Sequence, residues 1–230
     1  MSRLPTFLGI GAPKCGTTWL AECLLEYPQV CVPEVKEVVY FSSAKKLERG
    51  DAWYLAHFDP AGDAKAVGEF SVTYHAGGAD VAARIQALAP EVHVLAVLRD
   101  PVERAFSHYR WLCQLGKLDE GTSFAEAMRL RPEIVEDSLY FKVLSSYLKR
   151  LRVHIYRFSR RNGPNGLISF VKRSGLSALY RDINNKQSKQ LSLDAAADAE
   201  AFGLFREDVL KLQAATGFDC TKWLEKGSRF

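Results

Sequence analysis

Phe7-Leu-Gly-Ile-Gly-Ala-Pro-Lys-Cys-Gly-Thr-Thr-Trp-Leu20 decides how this chain is read. A short apolar run ends in a glycine and proline turn that holds one lysine. Gly16, Thr17 and Thr18 follow, and an amphipathic stretch runs on through Leu25. The order is strand, loop, helix. Such a loop sets backbone N–H groups and a cation at a helix N-terminus, where anions bind. The spacing is not that of the common nucleoside-triphosphate loop, because Lys14 precedes the second glycine instead of following it.

Outward from that loop, apolar runs alternate with helical patterns. Strands are expected over residues 7–11, 67–74, 92–98 and 153–158. Helices are expected over 17–27, 79–88, 101–115, 123–130, 137–150, 166–173 and 198–214, and Gln29 to Phe41 reads as extended. Val92-His-Val-Leu-Ala-Val-Leu98 is nearly all apolar, as in a parallel strand buried on both faces. The alternation predicts an α/β fold, three-layer α/β/α around a central parallel sheet, with a phosphate-loop-like nucleotide site. With no repeat, low-complexity tract or linker, residues 1–230 read as one domain.

The 230 residues are 47% hydrophobic and 25% charged, with net charge +4. This balance suits an anionic ligand and is too mild to indicate nucleic acid. Five cysteines without metal or disulfide spacing point to a reducing compartment, the cytoplasm. No apolar run approaches the roughly 20 residues of a membrane span. The N-terminus enters the first strand at once, which argues against a signal peptide.

A second constellation is Arg99-Asp-Pro-Val-Glu-Arg-Ala-Phe-Ser107. A buried strand ends in Arg99, Pro101 suits the first helical position, and Ser107 falls about two turns later. Arginine at a strand's carboxyl end and serine on the next helix can grip a phosphate together.

With both segments in view, the chain resembles the sulfotransferase superfamily that uses 3′-phosphoadenosine 5′-phosphosulfate (PAPS), nearest the heparan-sulfate-type and bacterial branch. Lys14-Cys-Gly-Thr-Thr-Trp19 resembles the 5′-phosphosulfate loop of that family, and Arg99 to Ser107 its 3′-phosphate element. The resemblance implies that Lys14, Cys15, Gly16, Thr17, Thr18 and Trp19 hold the phosphosulfate and that Arg99 and Ser107 hold the 3′-phosphate. Lys36-Glu-Val-Val-Tyr-Phe41 resembles the family's Lys-Glu-x-x-x-Phe segment, in which the glutamate matching Glu37 is the base. Gly68-Glu-Phe-Ser-Val-Thr-Tyr74, Ser138-Leu-Tyr140 and Thr216-Gly-Phe-Asp219 also match family segments. Where many relatives carry an acidic pair after the late strand, Tyr156-Arg-Phe-Ser159 stands here.

Sulfuryl transfer from PAPS to a hydroxyl or amine acceptor, a small molecule or a glycan, is the implied activity, with no metal required. Lys14 is the residue that tends the transferred group. For the base, Glu37 and His75 are both candidates, since His75 directly follows the Tyr74 segment and an unperturbed histidine titrates near neutrality. His57 and His108 read as structural, Glu69 as a residue that orients a neighbour, and the acceptor pocket is expected from loops around 42–66 and 110–137. The run Asn184-Asn-Lys-Gln-Ser-Lys189 is a second basic feature near the C-terminus. Two other classes compete with this reading. A nucleotide kinase would need magnesium ligands that the sequence does not display. A catalytically inactive nucleotide-binding protein would bind adenosine 3′,5′-bisphosphate without sulfating anything.

Overall fold

The computed structural model describes residues 3–33, 35, 37–158 and 191–225. The expected helix over 166–173 and the basic run 184–189 lie outside the described residues, as does Lys36. The chain divides into two compact units, Met1–Leu98 with Tyr140–Arg157, and Arg99–Leu139 with Phe158–Phe230.

The first unit is a five-stranded parallel sheet of β1 (Phe7–Gly11), β2 (Val30–Cys31), β3 (Ala66–Phe70), β4 (His93–Leu98) and β5 (Arg152–Arg157), in the order β2-β3-β1-β4-β5. Phe7 pairs with Gly68 of β3 on one side and His93 of β4 on the other. β1 is therefore central, and every one of its residues is buried, as its unbroken apolar run requires. From β1 the chain crosses to β2 through α1 (Thr17–Leu25) in one direction; from β3 it crosses to β4 through α5 (Gly78–Leu88) in the other. Right-handed crossovers running opposite ways place those helices on opposite faces of the sheet. Leu20, Ala21 and Leu24 of α1 pack on Phe7 and Phe70. On the other face, α9 (Tyr140–Leu148) packs with α5 and against β5. This is the expected three-layer α/β/α arrangement. The reversal of direction makes the carboxyl ends of β1 and β3 the topological switch point, where open sheets of this type take ligands.

Four short elements between β2 and β3 were not foreseen: a 3-10 turn, Tyr40–Ser42, which ends the stretch expected to be extended through Phe41, then α2 (Ala44–Leu47), α3 (Gly50–Leu55) and a second 3-10 stretch, Ala56–Ala61. The third strand is also shorter than 67–74. It stops at Phe70 because the Ser71 N–H donates to Gly9 O while the Tyr74 N–H turns back onto Ser71 O, opening α4 (Thr73–Ala76). The expected helix over 137–150 resolves into α8 (Glu133–Glu136) and α9, split between the two units.

The second unit is helical: α6 (Pro101–Gln114), α7 (Phe124–Leu130), α8, α10 (Ala195–Thr216) and α11 (Thr221–Leu224). Asp100 caps α6 by accepting from the Val102 and Glu103 N–H groups at 2.9 and 3.1 Å, with Pro101 at the first helical position. Arg104 is wholly buried. It donates to Ser138 Oγ at 2.5 Å and to the Ile134 carbonyl, and Asp137 lies 3.7 Å away. Ser138 in turn donates to Pro101 O at 2.9 Å, so this network ties α6 to α8.

Candidate functional site

The loop that joins β1 to α1 is built on backbone conformations its residues make available. Gly11 has φ 128°, and a Cβ there would stand 3.0 Å from the Cβ of His75. Glycine alone lets β1 end against that histidine. Lys14 is held at φ 66° and Gly16 at φ 84°. The Ala12 N–H donates to Val97 O at 2.9 Å, and the Cys15 N–H to Ala12 O at 3.2 Å, which folds the loop back over the strand ends. Cys15 is fully buried, its Sγ 3.7 Å from the Tyr140 hydroxyl, so it serves as a small packed side chain. Gly16 is the N-cap of α1 and supplies no side-chain acceptor to the helix start. The first-turn N–H groups, which have no intrahelical partner in any α-helix, stand beside the carboxyl end of β1, and Lys14 is half-buried in the same loop.

The sequence match at Gly68 to Tyr74 acquires a structural meaning here. Glu69 is 1% exposed at the end of β3. One carboxylate oxygen accepts from Ser71 Oγ at 2.6 Å and the Val38 N–H at 3.2 Å; the other accepts from the hydroxyls of Tyr74 at 2.5 Å and Tyr54 at 3.4 Å. Burial pushes the carboxyl above the usual carboxylate range, against these hydrogen bonds, which pull it down. The same burial drives Tyr74 far up, with the Glu69 charge adding to it.

What this cluster holds is residues 37–42. The Val39 N–H donates to Ser71 Oγ at 2.9 Å, and the Phe41 N–H to the Tyr74 hydroxyl at 3.5 Å. Ser42 Oγ meets Thr73 Oγ1 at 2.7 Å. Lys46 caps Val38 O at 2.6 Å and Arg84 caps Phe41 O at 3.0 Å. Glu37 and Val39 sit at φ 60° and 50°, left-handed conformations unfavourable for such side chains. The ladder of donors and acceptors on both edges of this strap is what keeps them there.

Glu37 is thereby set, half-buried, on the wall of a cleft of about 340 Å³ that is also lined by Thr18 of α1 and by Phe70. Thr18, in the first turn of α1, and Glu37 thus face one space. His75 is 0% exposed and lies behind Gly11, with its ring 6.3 Å from that of Tyr140; it does not line the cleft. The cleft is not drawn from 42–66 or 110–137. Its α1 wall is the stripe Thr18, Ala21, Glu22 and Leu25, spaced at helical intervals legible in the sequence and passed over there. His57 Nδ1 meets the carbonyls of Trp53 and Tyr54 at 3.0 and 3.1 Å, and His108 packs into the Arg104–Asp137 network.

In the second unit, Arg99 is 8% exposed and its guanidinium meets Glu103 at 2.5 Å. Glu103 and Ser107 are four residues apart on α6 and share a face, with Arg99 one further step of four upstream. The Glu103 partner was not singled out in the sequence, although the i,i+4 spacing displays it. Among the described residues no group of three or more His, Cys, Asp or Glu is placed to hold a metal ion, and no helix is long and apolar enough to cross a membrane.

Comparison with known proteins gives one consistent answer. Residues 4–158 match the family model described as a sulfotransferase domain. The chain is 27% identical over 175 residues to the membrane-associated sulfotransferase kil1 of Dictyostelium discoideum, covering 72% of this chain and 35% of that protein. It is 32% identical over 114 residues to bifunctional heparan sulfate N-deacetylase/N-sulfotransferase 3 of Mus musculus, covering 47% of this chain and 13% of that protein. It therefore spans only about a third or less of these relatives' lengths. Among solved structures, a sulfotransferase from Alicyclobacillus acidocaldarius superposes with TM-score 0.72 at 23% identity, covering 97% of this chain and all of that one. That likeness establishes the fold.

Proposed function

This chain belongs to the sulfotransferase domain family, and on that premise we propose that it moves a sulfuryl group from PAPS to a hydroxyl or amine acceptor, with Glu37 as the base. The observation that carries this reading is the cleft shared by Glu37 and Thr18. The residues present suit a sulfated, phosphorylated donor. A helix N-terminus without a side-chain cap, a lysine within the loop and a nearly buried arginine are donors for anionic oxygen.

Bound PAPS supplies the sulfuryl group. The loop over Lys14, Cys15, Gly16, Thr17, Thr18 and Trp19 holds its 5′ end through backbone N–H groups and the Thr17 and Thr18 hydroxyls. Lys14 neutralises charge that builds on the bridging oxygen. Arg99 and Ser107 hold the 3′-phosphate, with Glu103 keeping the guanidinium in place. Glu37 takes the acceptor's proton as the acceptor atom bonds to sulfur and the bond from sulfur to the 5′-phosphate oxygen opens. The freed electron pair stays on the departing adenosine 3′,5′-bisphosphate. His75, buried behind Gly11, supports the loop instead of taking the proton. In this reading the five free cysteines favour a reducing, cytoplasmic setting.

Labelled PAPS incubated with an acceptor library tests this directly, alongside calorimetric titration with adenosine 3′,5′-bisphosphate. The expected result is metal-independent label transfer in the presence of a chelator, lost about 10²–10³-fold in Lys14→Ala. Arg99→Ala is expected to weaken bisphosphate binding. Failure of the wild-type chain to bind the bisphosphate overturns the reading.

A further inference from the structure

Away from the cleft, the sheet brings two histidines together. His93 opens β4, and His154 is the third residue of β5. The register sets His93 opposite Arg152 and Leu95 opposite His154. Side chains two apart on a strand share a face, and so do directly paired residues of neighbouring strands. His93, Leu95 and His154 therefore stand on one face. Leu95 packs against the cluster of Phe7, Ala21 and Phe70, so it is the face that α1 covers. Both histidines are exposed, their ring centroids are 5.0 Å apart, and His93 Nδ1 lies 2.8 Å from His154 Nε2.

Two ring nitrogens this close are spaced as neighbouring donor atoms on one metal ion. Imidazole nitrogen binds such ions at ~2.0–2.1 Å. Two bonds of that length at a right angle put the nitrogens about 2.9 Å apart, and at the tetrahedral angle about 3.3 Å. The observed 2.8 Å suits the right angle of Cu²⁺ and Ni²⁺ better than the tetrahedron of Zn²⁺. The hydrogen bond between the rings needs a proton on one of the two nitrogens. Moving that proton to the far nitrogen of its own ring keeps the imidazole neutral and leaves both near nitrogens with a free lone pair. β4 and β5 pair along their whole length, so the two rings stand on a rigid base. Arg152, the cation on the same face, is paired with Glu91 at 2.6 Å.

We propose that His93 and His154 bind one divalent transition-metal ion of the Cu²⁺ and Ni²⁺ type, each through one ring nitrogen, with water in the other positions. Two protein ligands make an open site, unlike the groups of three or more that the described residues lack. The site is remote from the cleft. His93 pairs with Phe7 at the start of β1, and Gly11 at the other end lies about 13 Å along that strand. The ion ties β5, at the end of the sheet, to β4 and takes no part in sulfuryl transfer. Because it binds the folded register and not the open chain, it stabilises the fold by mass action.

Calorimetric titration of the full chain with NiCl₂, without nucleotide, tests this, and its outcome is separate from that of the sulfuryl-transfer reading. Wild type is expected to bind Ni²⁺, and His93→Ala and His154→Ala should each weaken that binding at least about tenfold. His57→Ala, which removes a histidine outside the pair, should leave it unchanged. Saturating Ni²⁺ should raise the melting temperature of wild type and of neither His93→Ala nor His154→Ala. Without metal both variants should melt close to wild type, since the two positions are exposed, and this separates lost coordination from lost folding. Zn²⁺ should bind more weakly than Ni²⁺. Unchanged Ni²⁺ affinity in both variants overturns the inference, as does Zn²⁺ binding tighter than Ni²⁺.

Discussion

Glu37 and Glu69 line the same cleft and are put to opposite uses. Glu69 is sealed at the end of β3 with four donors on its two oxygens; Glu37 stands on a strap at a positive φ, half-open to the space that Thr18 also faces. A carboxylate whose acceptor sites are filled cannot take up a proton from a passing hydroxyl without breaking what it holds. One that reaches an open cleft can. The difference is one of support: a buried, satisfied carboxylate helps hold the unfavourable backbone that sets a half-buried one on the cleft wall, where the proposed reaction would use it.

The sharpest way to break this comparison is to neutralise Glu37. Glu37→Gln should lower kcat by about 10²–10⁴-fold, as expected for loss of a general base, with the melting temperature unchanged. Steady-state kinetics beside a thermal melt checks both halves.

Glu69→Gln should do the reverse in emphasis. The amide group must set an N–H₂ against one of the donors that now point at a carboxylate. Denaturant unfolding should show a loss of about 1–3 kcal/mol. Turnover should fall through misplacement of Glu37, by less than in Glu37→Gln. Ser71→Ala removes one link at each end, the bond to Glu69 and the acceptor for the Val39 N–H. It should cost about 1 kcal/mol in the same unfolding experiment.

The smallest effect is on pH dependence. Burial raises the Glu69 carboxyl above its unfolded value, so between those two values the folded state binds more protons than the unfolded state. Glu69 then favours folding most below its unfolded pKa and loses part of that contribution as pH rises through its folded pKa. The stability gap between wild type and Glu69→Gln should accordingly narrow as pH rises across that window. Unfolding free energies measured at a series of pH values would show a widening gap if the assignment is wrong.

Much of this site is written locally. Gly11 to Thr18 dictates strand, loop and helix within a dozen residues, and the apolar run through Leu98 followed by Asp100-Pro101 sets both a buried strand and a capped helix. Those elements read correctly because each is decided by its own residues. The strap does not. Glu37 and Val39 adopt left-handed conformations only because Glu69, Ser71 and Tyr74, some thirty residues on, supply the partners. The overlong expectation for β3 fails for a related reason: Val72, Thr73 and Tyr74 have strand-forming side chains, but the Ser71 carbonyl is claimed by the Tyr74 N–H. The sequence leaves Glu37 and His75 both open as the base, because the burial of His75 is a property of the assembled sheet and not of its own segment.

The most direct test of this division of labour is the double variant. If Glu69 acts on the reaction only through the strap that carries Glu37, then kcat of Glu37→Gln/Glu69→Gln should equal that of Glu37→Gln alone, measured at saturating PAPS and acceptor on folded protein. A double variant slower than Glu37→Gln by the full factor lost in Glu69→Gln would show two independent roles and contradict the account.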